Sequence, residues 1–170
     1  MKWFPTHGPA QTRPALDKTI AYAKEQGFTS LAAVGYCFGA RYTFDLAYEG
    51  KIKVGAVNHP SLIQPEDLEK LSKLDFPMLF NVRAYDDFAA SILLTFRSTP
   101  SQTCGEDPQM PKQKIELADK LMQGKETYKR NHWENSRHGF SVRSDFSKPE
   151  NVKAHNEAFQ ACYEWIASKL

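Results

Sequence analysis

Cysteine is scarce in this chain. There are three, Cys37, Cys104 and Cys162, an odd number and widely spaced. That excludes a disulfide framework and gives no zinc-ligand spacing, so no metal site is expected, and it points to a reduced, cytoplasmic setting. Long hydrophobic runs are missing too. The longest apolar stretch, around Ala89–Leu94, falls far short of the ~20 residues that cross a bilayer, so no membrane partner is expected. The first residues, Met1-Lys2-Trp3-Phe4-Pro5, have no apolar core of a secretory signal. Charge of one sign is not in excess: 22 Lys and Arg face 20 Asp and Glu, for a net +2. The densest basic stretch, Lys125 to Arg130, is short and interrupted by Glu126. A nucleic-acid partner would require a basic face or run, and none is present.

What remains is the composition of a globular protein. Hydrophobic residues make up 41% and charged residues 25% of 170, enough for one domain over residues 1–170 with its own core. Arg13-Pro14-Ala15 opens a helical pattern through Leu16, Ile20 and Ala23, capped by Gly27. Ser30–Val34 is a short apolar run ending at Gly35, the pattern of a strand buried on both faces of a parallel sheet. A helix over Ala40–Tyr48 ends at Gly50, and a second strand over Ile52–Val57 stops at Asn58-His59-Pro60. Pro65-Glu66-Asp67 starts a helix with acidic residues where its dipole favours them. Phe76–Val82 is a third strand, Pro111 opens the helix through Ile115, Ala118 and Leu121, and Thr127–His132 is a fourth strand. From Pro149 the last helix carries an apolar stripe of Val152, Phe159, Cys162, Ile166 and Leu170, with Trp165 beside it. Strands alternate with helices, which predicts an α/β fold with a parallel sheet of about four strands. Residues 83–103 fit no element. They interrupt a strand-to-helix link of a kind that is usually about 2–6 residues long.

Gly35-Tyr36-Cys37-Phe38-Gly39 falls between an apolar strand and a helix. In that context the spacing describes a sharp turn that lifts the central side chain clear of the carboxyl end of a sheet. Gly35 and Gly39 would let strand and helix approach. The Phe38 N–H would face a developing oxyanion, and the helix N-terminus would favour the Cys37 thiolate. As a buried structural cysteine, Cys37 would need no such context.

A thiol nucleophile needs a general base, and the base an orienting group. His138, in Arg137-His138-Gly139-Phe140, lies between the last strand and the last helix, at the edge of the sheet where Cys37 is exposed. His59 follows the strand after the elbow and reads as structural. The acid should follow the strand ending at Val82, and Asp86, Asp87 and Asp107 compete for that place.

Gly-Tyr-Cys-Phe-Gly, then His59-Pro60-Ser61, then Glu106-Asp107-Pro108, then His138-Gly139-Phe140-Ser141-Val142-Arg143 together resemble the dienelactone hydrolase family. The resemblance runs from about Leu16 to Leu170 and breaks at 83–103. It implies an α/β-hydrolase-like parallel sheet flanked by helices. The chemistry it implies is hydrolysis of small esters or lactones through a covalent acyl-enzyme, without metal or organic cofactor. By motif the triad is Cys37, Asp107 and His138, with Phe38 in the oxyanion hole. Arg41, Arg143 and Tyr36 are candidate substrate contacts; either arginine would pair with a substrate carboxylate. Two departures stand out. The family has further strands ahead of the first helix, including a loop that completes the oxyanion hole. The sheet is therefore expected to be incomplete on its N-terminal side, with an apolar edge open to self-association. Residues 83–103 read as an insertion, a retained intron or a genuine cap. With that segment removed, Asp107 takes the place that Asp86 holds in the full chain, so spacing does not choose between them. The Asp-Pro pair and the adjoining helix start favour Asp107.

Two other readings remain. One is an inactive fragment or binding protein of the same fold. The other is a glutamine amidotransferase, which also uses a Gly-x-Cys-x-Gly elbow with a later His-x-Glu, matched formally by His132-Trp133-Glu134.

Overall fold

A computed structural model describes residues 6–83, 109–133 and 136–170. Asp86, Asp87, Cys104, Glu106, Asp107 and Glu134 lie outside them. The chain divides into two compact units, one up to Leu31 and one from Ala32 to Leu170. The first contains helix α1 (Pro9–Glu25). It begins a turn earlier than its apolar pattern announces, because Gly8 caps it and Pro9 occupies the first helical position, where a missing N–H costs nothing. Pro14 is then an interior residue, not the helix start. Gly27, at φ +88°, closes the helix: its N–H donates to Lys24 O, and the Phe28 N–H donates to Ala23 O.

The second unit runs β1 (Ala32–Tyr36), α2 (Gly39–Tyr48), β2 (Val54–Asn58), α3 (Pro65–Ser72), β3 (Met78–Arg83), α4 (Lys112–Met122), β4 (Tyr128–Trp133) and α5 (Pro149–Lys169). Its four strands pair in parallel in the order β1-β2-β3-β4. The central strands β2 and β3 are buried along their whole length, as near-continuous apolar runs in a parallel sheet should be. β1 is not buried on both faces: it is an edge strand, and Val34 is 37% exposed. Its uncharged sequence contrasts with the other edge, where β4 carries Lys129, Arg130 and His132.

Residues alternate between the two faces of the sheet. On one face Phe44 of α2 meets Phe80 edge-on at 5.9 Å, and Phe80 meets Tyr128 at 5.5 Å. α3 is anchored there by Arg41, which bridges Asp45 and Asp67, while the Tyr48 hydroxyl donates to Asp67 O. On the other face α5 lies over β2 and β3, with Cys162 and Trp165 packed on Val54, Ala56 and Leu79. The buried positions of α5 are Ala154, Ala158, Cys162 and Trp165. The expected stripe is therefore rotated: Phe159 is 62% and Leu170 57% exposed. Around Ala154 and Ala158 small side chains face the sheet, Trp165 packs on Val54, Ala56 and Leu79, and Phe159 and Leu170 flank the contact.

Towards the carboxyl ends of the strands this second face turns polar. Tyr36, Asn58, Asn81 and Asn131 stand in register across all four strands. Asn131 Nδ2 donates to Asn81 Oδ1 at 3.1 Å, and Asn81 Nδ2 donates to Asn58 Oδ1 at 2.9 Å. The ladder is tied to α5, since Asn81 Nδ2 also donates to Ala158 O, and both Asn58 and Asn81 reach Cys162 Sγ at 3.3 Å.

The elbow glycines are not equivalent. A Cβ on Gly35 would lie 2.4 Å from Thr43 Oγ1, 2.7 Å from Gly39 O and 2.8 Å from the Ala40 Cα, whereas one on Gly39 would meet nothing within 4 Å. Only Gly35 is required for the close approach of β1 and α2. Gly35→Ala should therefore lower stability by about 1–3 kcal/mol, as overpacking against backbone does. Gly39→Ala should change it by less than about 1 kcal/mol, since alanine is the better helix former. Urea midpoints of the two variants measure the difference.

Candidate active site

The site begins at one strained residue. Cys37 has φ +50°, a left-handed conformation in which a side chain is disfavoured, at a cost of about 1–2 kcal/mol. The surroundings hold it there. Its N–H donates to Asn58 O at 3.0 Å, and its carbonyl accepts the N–H groups of Ala40 and Ser61, both at 3.1 Å. The elbow is thus sewn to β2, to the first turn of α2 and to the loop after β2. That loop is strained in turn, with His59 at φ +38° and Leu62 at φ +61°. Its first N–H, on His59, donates to Asn81 O at 2.8 Å and so continues the strand ladder. Left-handed non-glycine residues clustered at strand ends are typical of sites where geometry is enforced by the fold.

His138, 101 residues further along the chain, brings Nε2 to 3.0 Å from Cys37 Sγ. It sits in the loop between β4 and α5, which is fastened by buried Phe140 under Trp133, at a ring separation of 5.2 Å, and by His155 Nδ1 donating to Ser141 O at 2.6 Å. His59 is buried, and its ring lies edge-on to that of His138 at 5.2 Å. It supports the imidazole from within. His132, the histidine of the amidotransferase-like pattern, is exposed on β4, and the imidazole at Cys37 is that of His138.

The Cys37 sulfur is half-buried, and burial alone would push its thiol pKa up. Hydrogen bonds from His138 and Ser61, the positive charge of His138 and the Phe38 N–H outweigh that and hold it below the ordinary thiol range. Cys162 goes the other way: burial raises it, against hydrogen bonds from Asn58 and Asn81.

The other sequence candidates separate clearly. The Phe38 N–H faces the sulfur. Tyr36 is partly buried, its ring tilted 6.1 Å from that of His59, and burial pushes its phenol up. Arg41 is engaged elsewhere, its guanidinium held by Asp45, Asp67 and the Leu62 carbonyl. Arg143 lies against Gly139, next to His138 in sequence, with Nε 3.4 Å from where a Cβ would stand. Arg137, His138, Arg143, Lys148 and Asn151 help line a cavity of ≈ 360 Å³. The three candidate acids all fall outside the described residues. Among the described residues no group of three or more His, Cys, Asp or Glu could hold a metal ion, and no helix is long and apolar enough to cross a membrane. Ser61, whose Oγ lies 3.5 Å from the Cys37 sulfur, enters the sequence reading only as part of the His59-Pro60-Ser61 motif and is not singled out there as a site residue.

A parallel α/β sheet with a thiol on a left-handed turn and an imidazole on its sulfur defines a class of nucleophile-elbow proteins. A profile of the dienelactone hydrolase family matches residues 3–94, more than half of the chain, and the chain belongs to that family. Hydrolase pyvD of Aspergillus violaceofuscus is 26% identical over 171 aligned residues, covering all of this chain and 60% of that protein. Hydrolase tropI of Talaromyces stipitatus is 27% identical over 137 residues, covering 80% of this chain and 44% of that protein. The chain therefore spans about half the length of these curated relatives.

The contrast between the two described cysteines gives a direct check. Iodoacetamide should alkylate Cys37 in the folded chain at least ~10-fold faster than Cys162, because the thiolate is the reacting form. The Cys37 rate should rise with pH and level off below the ~8.5 of an ordinary thiol, since its thiolate is favoured. Peptide mass spectrometry over a pH series reads both, and equal labelling would show that the elbow thiol is not activated.

Proposed function

We propose that this protein is a hydrolase of small esters or lactones that works through a covalent acyl-enzyme on Cys37. The observation that carries this reading is the 3.0 Å contact between His138 Nε2 and the sulfur of a residue held at φ +50°. The Cys37 thiolate adds to the substrate carbonyl, forming the S–C bond and placing negative charge on oxygen. The Phe38 N–H and the N-terminus of α2 stabilise that charge. When the C–O bond breaks, His138 gives its proton to the leaving alkoxide, which in a lactone stays attached to the acyl chain. His138 then takes a proton from water, the hydroxide opens the thioester, and acid and thiolate are regenerated. Asp107 is assigned as the group that orients His138, because it belongs to an Asp-Pro pair shortly before α4. The names of the two relatives, both hydrolases, agree with this reading.

Cys37→Ala and His138→Ala should each lower turnover of an activated phenyl ester by a factor on the order of 10⁴ or more, as nucleophile and base act as one unit. Asp107→Asn should be severely impaired and Asp86→Asn nearly unaffected. The reverse order would move the acid to Asp86 and make the 83–103 segment part of the working fold. Full turnover in Cys37→Ala would end the acyl-enzyme reading altogether.

The cavity beside His138 favours acidic substrates. Arg137, Arg143 and Lys148 contribute three positive charges to its wall, against Asp145 and Glu150. Among the described residues Arg143 forms no ion pair, so its planar guanidinium is the assigned partner of a substrate carboxylate. Arg41 already has two carboxylates and is not assigned this role. A lactone bearing a carboxylate should be preferred over its methyl ester. Arg143→Ala should raise KM for the acid by about 10-fold, the lower bound for losing a charge-assisted hydrogen bond. An unchanged preference in that variant removes Arg143 from the site.

A further inference from the structure

Ser61 is placed where no ordinary loop serine needs to be. It is 4% exposed and lies in the loop after β2, between His59 at φ +38° and Leu62 at φ +61°. Its N–H donates to the Cys37 carbonyl at 3.1 Å, and its Oγ lies 3.5 Å from the Cys37 sulfur. Among the described residues that sulfur is the hydroxyl's hydrogen-bond partner, and a buried hydroxyl is paired wherever the fold allows. The backbone contact fixes where the serine stands relative to the elbow, and the side chain then points at the reacting atom. His138 Nε2 approaches the same sulfur at 3.0 Å. The sulfur is therefore approached by two side-chain groups from two loops, one following β2 and one following β4.

We propose that Ser61 is a catalytic residue of this site, whose hydroxyl donates a hydrogen bond to the Cys37 thiolate and holds it ready for attack. The proposal rests on the reading of Cys37 as the nucleophile and extends it. The hydroxyl gives no proton away. It donates to the anionic sulfur in the resting state, and the bond weakens as the electron pair moves from sulfur into the S–C bond of the acyl-enzyme. Ser61 thus trades intrinsic nucleophilicity for thiolate population. A more stabilised thiolate is present at lower pH but reacts more slowly per molecule. The lowered thiol pKa of Cys37, to which Ser61 contributes after His138, agrees with this placement.

The trade has a signature that a merely structural serine would lack. In Ser61→Ala, which keeps the backbone N–H to Cys37, the pH midpoint of Cys37 alkylation by iodoacetamide should move upward. The rate below the midpoint should fall several-fold. The plateau above it should rise, by roughly threefold for each unit the midpoint moves, following the ~0.4–0.5 dependence of thiolate reactivity on basicity. Ser61→Gly removes the same hydroxyl and should shift the profile the same way. Ser61→Thr keeps a donor and should restore the parent midpoint. The measurement uses the full chain, with near-UV circular dichroism establishing that each variant is folded. Profiles of Ser61→Ala and Ser61→Gly that superpose on the parent would overturn the proposal, as would a plateau that falls with no change of midpoint. If instead Cys37 of the parent chain reacts no faster than Cys162, the failure lies with Cys37 as nucleophile and not with Ser61.

Discussion

The second unit is organised around the left-handed turn at Cys37. A non-glycine residue stays in that conformation only when its neighbours leave no cheaper alternative. Here the backbone of Asn58 takes its N–H, and Ala40 and Ser61 take its carbonyl. Below it, Gly35 admits Thr43 and the first turn of α2 so closely that no β-carbon would fit. Relaxing the turn would break these hydrogen bonds together, and so the strain is retained. The benefit is direction: the sulfur stands at the strand ends, within reach of His138 and Ser61, and not in the sheet.

This arrangement also accounts for the chemistry of two thiols in one small unit. Cys37 and Cys162 both accept hydrogen bonds, and burial opposes ionisation of both. They diverge because Cys37 has the His138 imidazole, the Ser61 hydroxyl and the Phe38 N–H aimed at it, whereas Cys162 has side-chain amides within a more complete enclosure. Deeper burial raises the Cys162 thiol, while at Cys37 the hydrogen bonds from His138 and Ser61, with the charge of His138 behind them, outweigh burial.

The strand-to-helix turn at Cys37, the order of elements and the placement of His138 beside that turn are legible in the sequence because each has a local signature. An apolar run that ends in a glycine-spaced turn before a helix leaves few alternatives, and a histidine between the last strand and the last helix must lie at the same end of the sheet. Other features had no such signature. Asn58 reads as the end of a strand and Asn81 and Asn131 as positions within strands, and only their register across three strands makes them a ladder. The buried face of α5 is not the one its apolar stripe indicates. Ala154 and Ala158 are buried and Phe159 is exposed, since the helix rests close on the amides, where a large ring has no room. β1 reads as apolar as β2 from its residues alone; the edge is expected only from the resemblance, and the strand order places β1 there.

The amide ladder has a mechanical consequence. Register in a buried parallel sheet is fixed by its backbone ladder and its apolar pattern. Side-chain amides linked rung to rung across β2, β3 and β4, and pinned at Asn81 to α5, add a second set of ties near the strand ends. The ladder joins the ends of β2, β3 and β4, and the Cys37 N–H on Asn58 O ties the elbow after β1 to the same level.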